Sequence, residues 1–240
     1  MPNRNLITPM IAPQPPDENA GAAPSGDGTP AADRHKSARD VQATYADVAD
    51  RFARWAWLDR LFTGRFRRRQ FGDARGRVLD VACGTGTNVP YLPESVDFVG
   101  VDLSPAMLAN AREELNRLGR EGSLCRMDAA SLAFPDDSFD TVISALSTCT
   151  FPDPVAALRE MARVCRPEGR ILLLEHGQSD VGPVARVLDW RAEAHYEQLG
   201  CRLTQEPLEL VDAAGLPVVE SRSALLGIVT AIEARPAVTS

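Results

Sequence analysis

The chain has 240 residues and 44% apolar content, enough for one large domain with a substantial core. A net charge of −7 argues against general nucleic-acid binding, and no apolar run approaches the ~20 residues that span a bilayer. No secretory leader is apparent, and five cysteines without C-x-x-C spacing point to neither a disulfide framework nor a zinc site, so a reducing, cytoplasmic setting without a bound metal is expected.

Residues 1–36 hold seven prolines and few aromatics, so they cannot bury enough apolar surface to order and are expected to be a disordered tail. Order begins at Ser37, which forms a capping box with Asp40. Val41, Tyr45, Val48, Phe52 and Trp55 follow at helical spacing, and Leu58 and Phe62 continue the face to Gly64. Two helices are expected here, packed on the domain that follows. Arg65, Arg67, Arg68, Arg69, Arg75 and Arg77 then read as a solvated helix face, with anionic headgroups or phosphate as the alternative partner.

From Arg77 strands and helices alternate, the signature of a mostly parallel α/β sheet. Val78–Val81 is a short apolar strand, followed by Ala82-Cys83-Gly84-Thr85-Gly86-Thr87-Asn88 and a helix expected from about Thr87. A glycine turn between strand and helix lets a cofactor approach bare backbone. A dinucleotide fingerprint needs a third glycine where this chain has Val89. Asp80 lies inside the strand, four residues before Gly84, within reach of a positive group over the turn.

The second strand, Val96–Val101, ends in Asp102, placed to accept hydrogen bonds from both hydroxyls of a ribose. Ser104 and Pro105 start a helix that stops at Gly119, and Leu103 and Met107 flank a bound nucleoside. The third strand, Ser123–Met127, ends in Asp128-Ala129. Asp80, Asp102 and Asp128 therefore close three consecutive strands on one sheet edge. The fourth strand is Thr141–Ala145; Asp153 caps the next helix, with Val155, Leu158, Ala162 and Cys165 as its buried face. Arg166-Pro167-Glu168-Gly169 leads to a fifth strand, Arg170–Glu175, and His176. Val181–Leu199 is a helical insert, Gln205–Ala214 a helix, and Val218–Ser223 with Gly227–Ala234 an antiparallel hairpin.

The Asp80–Asn88 run resembles motif I of the class I S-adenosylmethionine (SAM) methyltransferases, with Ala82 in place of the first glycine as in the ubiquinone/menaquinone C-methyltransferases. Phe134-Pro135-Asp136-Asp137-Ser138-Phe139-Asp140 resembles the run before the family's fourth strand. Leu146–Pro154, Leu173–His176 and Gly200–Thr204 are similar to the methyltransferase-like group whose animal members methylate alkyl thiols at membranes. The resemblance implies a Rossmann-like seven-stranded domain over about 37–236, with N-terminal helices, a helical insert after strand five, and SAM as cofactor. It implies cofactor contacts from Tyr45 on a covering helix, Asp80, Ala82, Gly84, Gly86 and Asn88 in the motif, Asp102, Leu103 and Met107, Asp128 and Ala129 at the adenine, and Ala145 beside the methyl. The acceptor is expected to be a small hydrophobic molecule, with a phospholipid or quinone at a membrane surface as the alternative; nucleic acid and stable membrane insertion are not expected. A hydroxyl or amine acceptor needs a general base, for which His176 is the candidate, with His195 second. An RNA methyltransferase and a non-catalytic SAM-fold protein are the rival classes.

Overall fold

The computed structural model describes residues 36–237; the expected tail lies outside the described residues, apart from Lys36. The ordered chain starts on helix α1 (Ala38–Phe71), capped as its sequence indicates: Ser37 Oγ accepts from Asp40 N, and Asp40 accepts from Ser37 N. α1 is one helix of 34 residues rather than two. An interior glycine costs only about 1 kcal/mol. Gly64 offsets this by close packing, since a Cβ there would stand 2.7 Å from Tyr91 Oη.

Seven strands form one sheet in the order β3-β2-β1-β4-β5-β7-β6. β1 (Arg77–Val81) pairs in parallel with β2 (Asp97–Asp102) and β4 (Phe139–Ala145), β3 (Ser123–Arg126) with β2, and β5 (Cys165–His176) with β4. β7 (Val229–Ala234) and β6 (Val218–Ala224) close the sheet as an antiparallel pair beside β5. This is the Rossmann-like seven-stranded arrangement, with the order reversing between β1 and β4.

β5 begins earlier than its sequence suggests. Phe139 pairs with Cys165 and Thr141 with Arg170, so Arg166–Gly169 bulges out of a ladder that it does not end. Cys165 accordingly belongs to β5, and helix α3 (Pro154–Val164) buries Ala157, Leu158, Met161 and Val164. The Asp153 side chain caps α3 through Ala156 N.

No α-helix follows the glycine turn at Thr87. Turns lead into a 3-10 turn at Val89–Tyr91, and Leu92 is extended. Pro93 explains the stop, because the residue before a proline is pushed out of the helical region. Helix α2 (Pro105–Leu118) starts on the Ser104 cap and ends on left-handed Gly119, as expected. Helix α4 (Gly182–Leu199) is the insert, and α5 (Pro207–Ala213) a short helix before the hairpin. One apolar cluster, around Leu79, Val142, Leu158 and Leu173, fills one side of the sheet; a second, around Phe71, Val78, Phe98 and Leu115, fills the other. Among the described residues no helix is long and apolar enough to cross a membrane.

Candidate active site

The carboxyl ends of β1, β2, β3 and β4 open on one cavity of about 230 Å³. Its floor includes Ala82, Gly84, Asp102, Leu103, Asp128 and Ala129; Ala145 and the loop after β4 form one wall, and α1 supplies Tyr45, Phe52, Asp59 and Arg67 as the roof. Brändén's rule for open α/β sheets places the ligand at this edge, at the point where strand order reverses.

The turn after β1 is built around Asp102. Its Oδ2 accepts from Gly84 N at 2.9 Å and its Oδ1 from Ser104 N at 2.8 Å, so one carboxylate ties the two loops together. Burial pushes the Asp102 carboxyl up, against the pull of the backbone N–H groups of Ser104 and Gly84. Each oxygen keeps a further lone pair for a ligand hydroxyl. Ala82, Gly84 and Gly86 all have positive φ, at 55°, 55° and 77°. A Cβ on Gly84 would meet nothing within 4 Å and would project into the cleft.

The other residues expected at the site divide into two groups. Tyr45, Asn88, Leu103, Met107, Asp128, Ala129 and Ala145 line the cavity with Ala82, Gly84 and Asp102. Asp80 and Gly86 are not among the lining residues. Asp80 is fully buried beneath the floor, its two oxygens accepting from Asn88 Nδ2 at 3.0 and 3.1 Å. Gly86 faces α2, where a Cβ would stand 3.3 Å from Ala111 Cα.

Sequence reasoning missed Arg67. Grouped with a solvated arginine face, it is in fact buried: its Nη1 donates to Asn88 Oδ1, its Nε to Thr63 Oγ1 at 2.9 Å, and its Nη2 lies 3.3 Å from Asp59 Oδ2. The signal was the spacing, because Asp59, Thr63 and Arg67 stand four residues apart and share one face of a helix. Asp80, Asn88 and Arg67 form a relay that holds a guanidinium at the end of the cavity. Asp59 Oδ2, despite that ion pair, has no hydrogen-bond partner among the described residues.

These features fit SAM. The cavity offers a carboxylate for two ribose hydroxyls, a bare glycine beside it, and at one end a cation next to an orphaned carboxylate oxygen, the complement of an amino-acid zwitterion. Tyr45 completes the roof, and burial keeps its phenol protonated far above the ordinary range.

His176 is not among the lining residues. Its Nε2 lies 3.2 Å from Cys201 Sγ, which in turn lies 3.3 Å from Cys149 Sγ. The hydrogen bond with Cys149 pulls the Cys201 thiol down, and that with His176 adds to it against the effect of burial. Glu175, fully buried and pushed up to about 7 by burial, accepts from Ser147 N and Thr148 N at 3.1 and 3.3 Å. It thus fixes the loop after β4, which lines the cavity at Leu146, Ser147 and Thr150–Pro152.

Fold and cavity together define a SAM-dependent methyltransferase. A family model described as "Methyltransferase domain" matches residues 79–173. Phosphatidylethanolamine N-methyltransferase of Cereibacter sphaeroides is 37% identical over 184 residues, which cover 69% of this chain and 89% of that one. The chain belongs to this family of SAM-dependent methyltransferases. Demethylmenaquinone methyltransferase of Thermus thermophilus is 41% identical over 102 residues, 41% of this chain and 46% of its own length. The fold is shared with a solved SAM-dependent methyltransferase of Thermotoga maritima at a TM-score of 0.63, with 20% identity, over 82% of this chain and 99% of that one. The enzyme is therefore a methyltransferase with SAM as its cofactor.

Proposed function

We propose that residues 37–236 transfer the methyl group of SAM to a small lipophilic acceptor with a thiol, hydroxyl or amine head. The observation that carries this reading is Asp102, which pins the glycine turn while presenting its carboxylate to an apolar-walled cavity at the switch point of the sheet. In it Asp102 accepts from the ribose hydroxyls, Asp128 and Ala129 bind the adenine, and Leu103 and Met107 pack on its faces. Arg67 receives the carboxylate of the amino-acid end and Asp59 its ammonium. Asp80 and Asn88 act as positioning residues for Arg67, and Gly86 sets the turn against α2.

SAM supplies an electrophilic methyl on a sulfonium, which an acceptor lone pair attacks in line while the C–S electrons return to sulfur. The protein's task is to orient the acceptor and exclude water. Ala145 and the loop after β4, fixed by Glu175, bound the methyl side, and Tyr45 and Phe52 close the roof. A general base must come within hydrogen-bond reach of the proton it removes. His176 does not line the cavity, so the reading gives it no direct role in proton removal. The five free thiols suit a reducing, cytoplasmic setting.

A second reading makes the acceptor a phospholipid or quinone taken from a membrane surface. It is favoured by exposed Trp55 (53%), Phe62 (65%) and Trp190 (79%), with Arg51, Arg54, Arg65 and Arg69 also exposed on α1. Aromatic side chains among arginines suit the interface of an anionic bilayer. Trp55 lies one turn along α1 from Phe52 of the roof. The names of the two bacterial relatives agree with such acceptors.

The test is methyl-labelled SAM incubated with an alkyl thiol, a phenol, a hydroquinone, an amine, phosphatidylethanolamine vesicles and RNA. Label in an organic-extractable product supports the proposal, and vesicles or hydroquinone as sole acceptor select the second reading. Label in RNA alone, or bound SAM without transfer to any acceptor, would overturn both.

A further inference from the structure

Three short runs converge beside the cofactor site: Leu146–Pro154 after β4, part of which lines the cavity, Leu173–His176 at the end of β5, and Gly200–Thr204 after α4. Folding brings one metal-ligand type from each to a single point. Cys149 Sγ, Cys201 Sγ and a ring nitrogen of His176 all lie within 4.8 Å of one another, and both cysteines are buried. The two sulfurs are 3.3 Å apart, and His176 Nε2 is 3.2 Å from Cys201.

We propose that Cys149, His176 and Cys201 bind a zinc ion, with a non-protein ligand in the fourth position. The inference is independent of the methyl acceptor.

Geometry and charge both support it. Zinc bonds of ~2.3 Å to sulfur and ~2.0–2.1 Å to nitrogen in a tetrahedron place ligand atoms roughly 3.5–3.8 Å apart. The thiol and imidazole atoms need only small shifts to reach that spacing. Two thiolates neutralise one Zn²⁺, so the occupied cluster carries no net charge and suits a buried place. The backbone is tied on both sides: Arg202 N donates to Cys149 O at 3.0 Å, and Gly200 N to Tyr196 O at 2.7 Å. Glu175 holds Ser147 and Thr148 ahead of Cys149.

The ion has a structural task to perform. α4 has no fully buried residue, so it lacks a core anchor of its own. Its last turn is held at the surface: Lys36 N donates to Tyr196 Oη, Lys36 Nζ donates to Glu197 O, and the Arg202 guanidinium lies over the Tyr196 ring. Zinc bound by Cys201, two residues past α4, and by Cys149 and His176 on the other side would pin the end of α4 to the loop that walls the SAM cavity. Binding of a structural zinc also contributes directly to folding. A disulfide is the competing use of the two sulfurs, but it would leave the His176 ring nitrogen beside Cys201 without a role.

The test is metal analysis of the full chain, expressed without a metal-affinity tag and purified under reducing conditions without chelator. The proposal expects about one zinc per chain. After replacement by cobalt it expects thiolate-to-metal charge-transfer bands and the visible bands of a tetrahedral ion. Cys149→Ser and Cys201→Ser should each lose the zinc and both cobalt signatures, with far-UV circular dichroism confirming the fold. Chelator should lower the melting temperature of the unsubstituted chain and leave that of the Cys149→Ser, Cys201→Ser double variant unchanged. Three results would overturn the site: no zinc taken up by the reduced protein, full zinc retained in the double variant, or a cobalt spectrum without a sulfur band.

Discussion

Both carboxylate oxygens of Asp80 accept hydrogen bonds from Asn88 Nδ2, at 3.0 and 3.1 Å, beneath the floor of the cavity. Through this pair an acid that never reaches the cavity wall aims Asn88 Oδ1 at Arg67. Under the proposed binding mode, the acid of the motif therefore acts on the cofactor's amino-acid end through two side chains.

The same pair has a pH signature. Burial raises the Asp80 carboxyl to about 7, against the lowering by Asn88 and Arg67 and with a further rise from Asp102. The unfolded value is about 3.9, so the folded state holds its proton to higher pH. Stability contributed by Asp80 should fall as pH rises from about 4 to about 7, then level off. Asp80→Asn removes this dependence. The melting-temperature difference between the variant and the unsubstituted chain should shift in the variant's favour across that window. A difference independent of pH would contradict the assignment.

Arg67 is predicted to hold the amino-acid carboxylate of SAM. Replacing it with Gln removes a charge-assisted partner worth roughly 1.5–3 kcal/mol, so KM for SAM should rise about ten- to a hundredfold, with a smaller change in kcat. Adding Asp59→Asn should restore stability but not KM, since it removes the carboxylate left unpaired. Steady-state kinetics with SAM varied would show this, and an unchanged KM would make Arg67 purely structural.

Gly84 and Gly86 should behave differently although both have positive φ. Alanine at either costs ~1–2 kcal/mol in backbone strain, a fall of about 2–4 °C in Tm per kcal/mol for a domain of this size. At Gly86 the methyl meets α2, so Tm drops and KM for SAM holds. At Gly84 it enters the cleft, so KM rises as well. Equal KM values for the two variants would place the cofactor elsewhere.

If the membrane reading is right, Trp55→Ser with Phe62→Ser should weaken association with anionic vesicles by about tenfold or more, since each apolar side chain contributes up to ~1.5–3 kcal/mol when buried. Turnover of a detergent-dispersed acceptor should change little. Vesicle sedimentation without any loss would remove this face from the account.

Local signals made much of this structure legible. Ser37, Ser104 and Asp153 each cap the helix that follows, Gly119 ends α2 in the left-handed region, and the hairpin closes the sheet where its spacing indicates. These features depend on a few neighbouring residues. The errors have a common cause in tertiary context. Gly64 does not break α1 because Tyr91 needs its missing side chain, and Arg166–Gly169 stays in the ladder by bulging. Arg67 reads as one arginine of a surface cluster until Asn88, from another segment, meets it. The proposed zinc site is a separate matter: three segments supply Cys149, His176 and Cys201, so their spacing along the chain carries no signal.

The claim on which the account rests is that Asp102 holds the ribose of SAM. Asp102→Ala leaves two hydroxyls without their shared acceptor, a loss of roughly 1.5–3 kcal/mol, or about ten- to a hundredfold in affinity. Asp102→Asn keeps the shape but removes the charge and half of the accepting capacity, and should fall between. Calorimetric titration of SAM into the three folded proteins measures this directly. The account predicts that Kd rises from the unsubstituted chain to Asn to Ala; equal affinities in all three would contradict it.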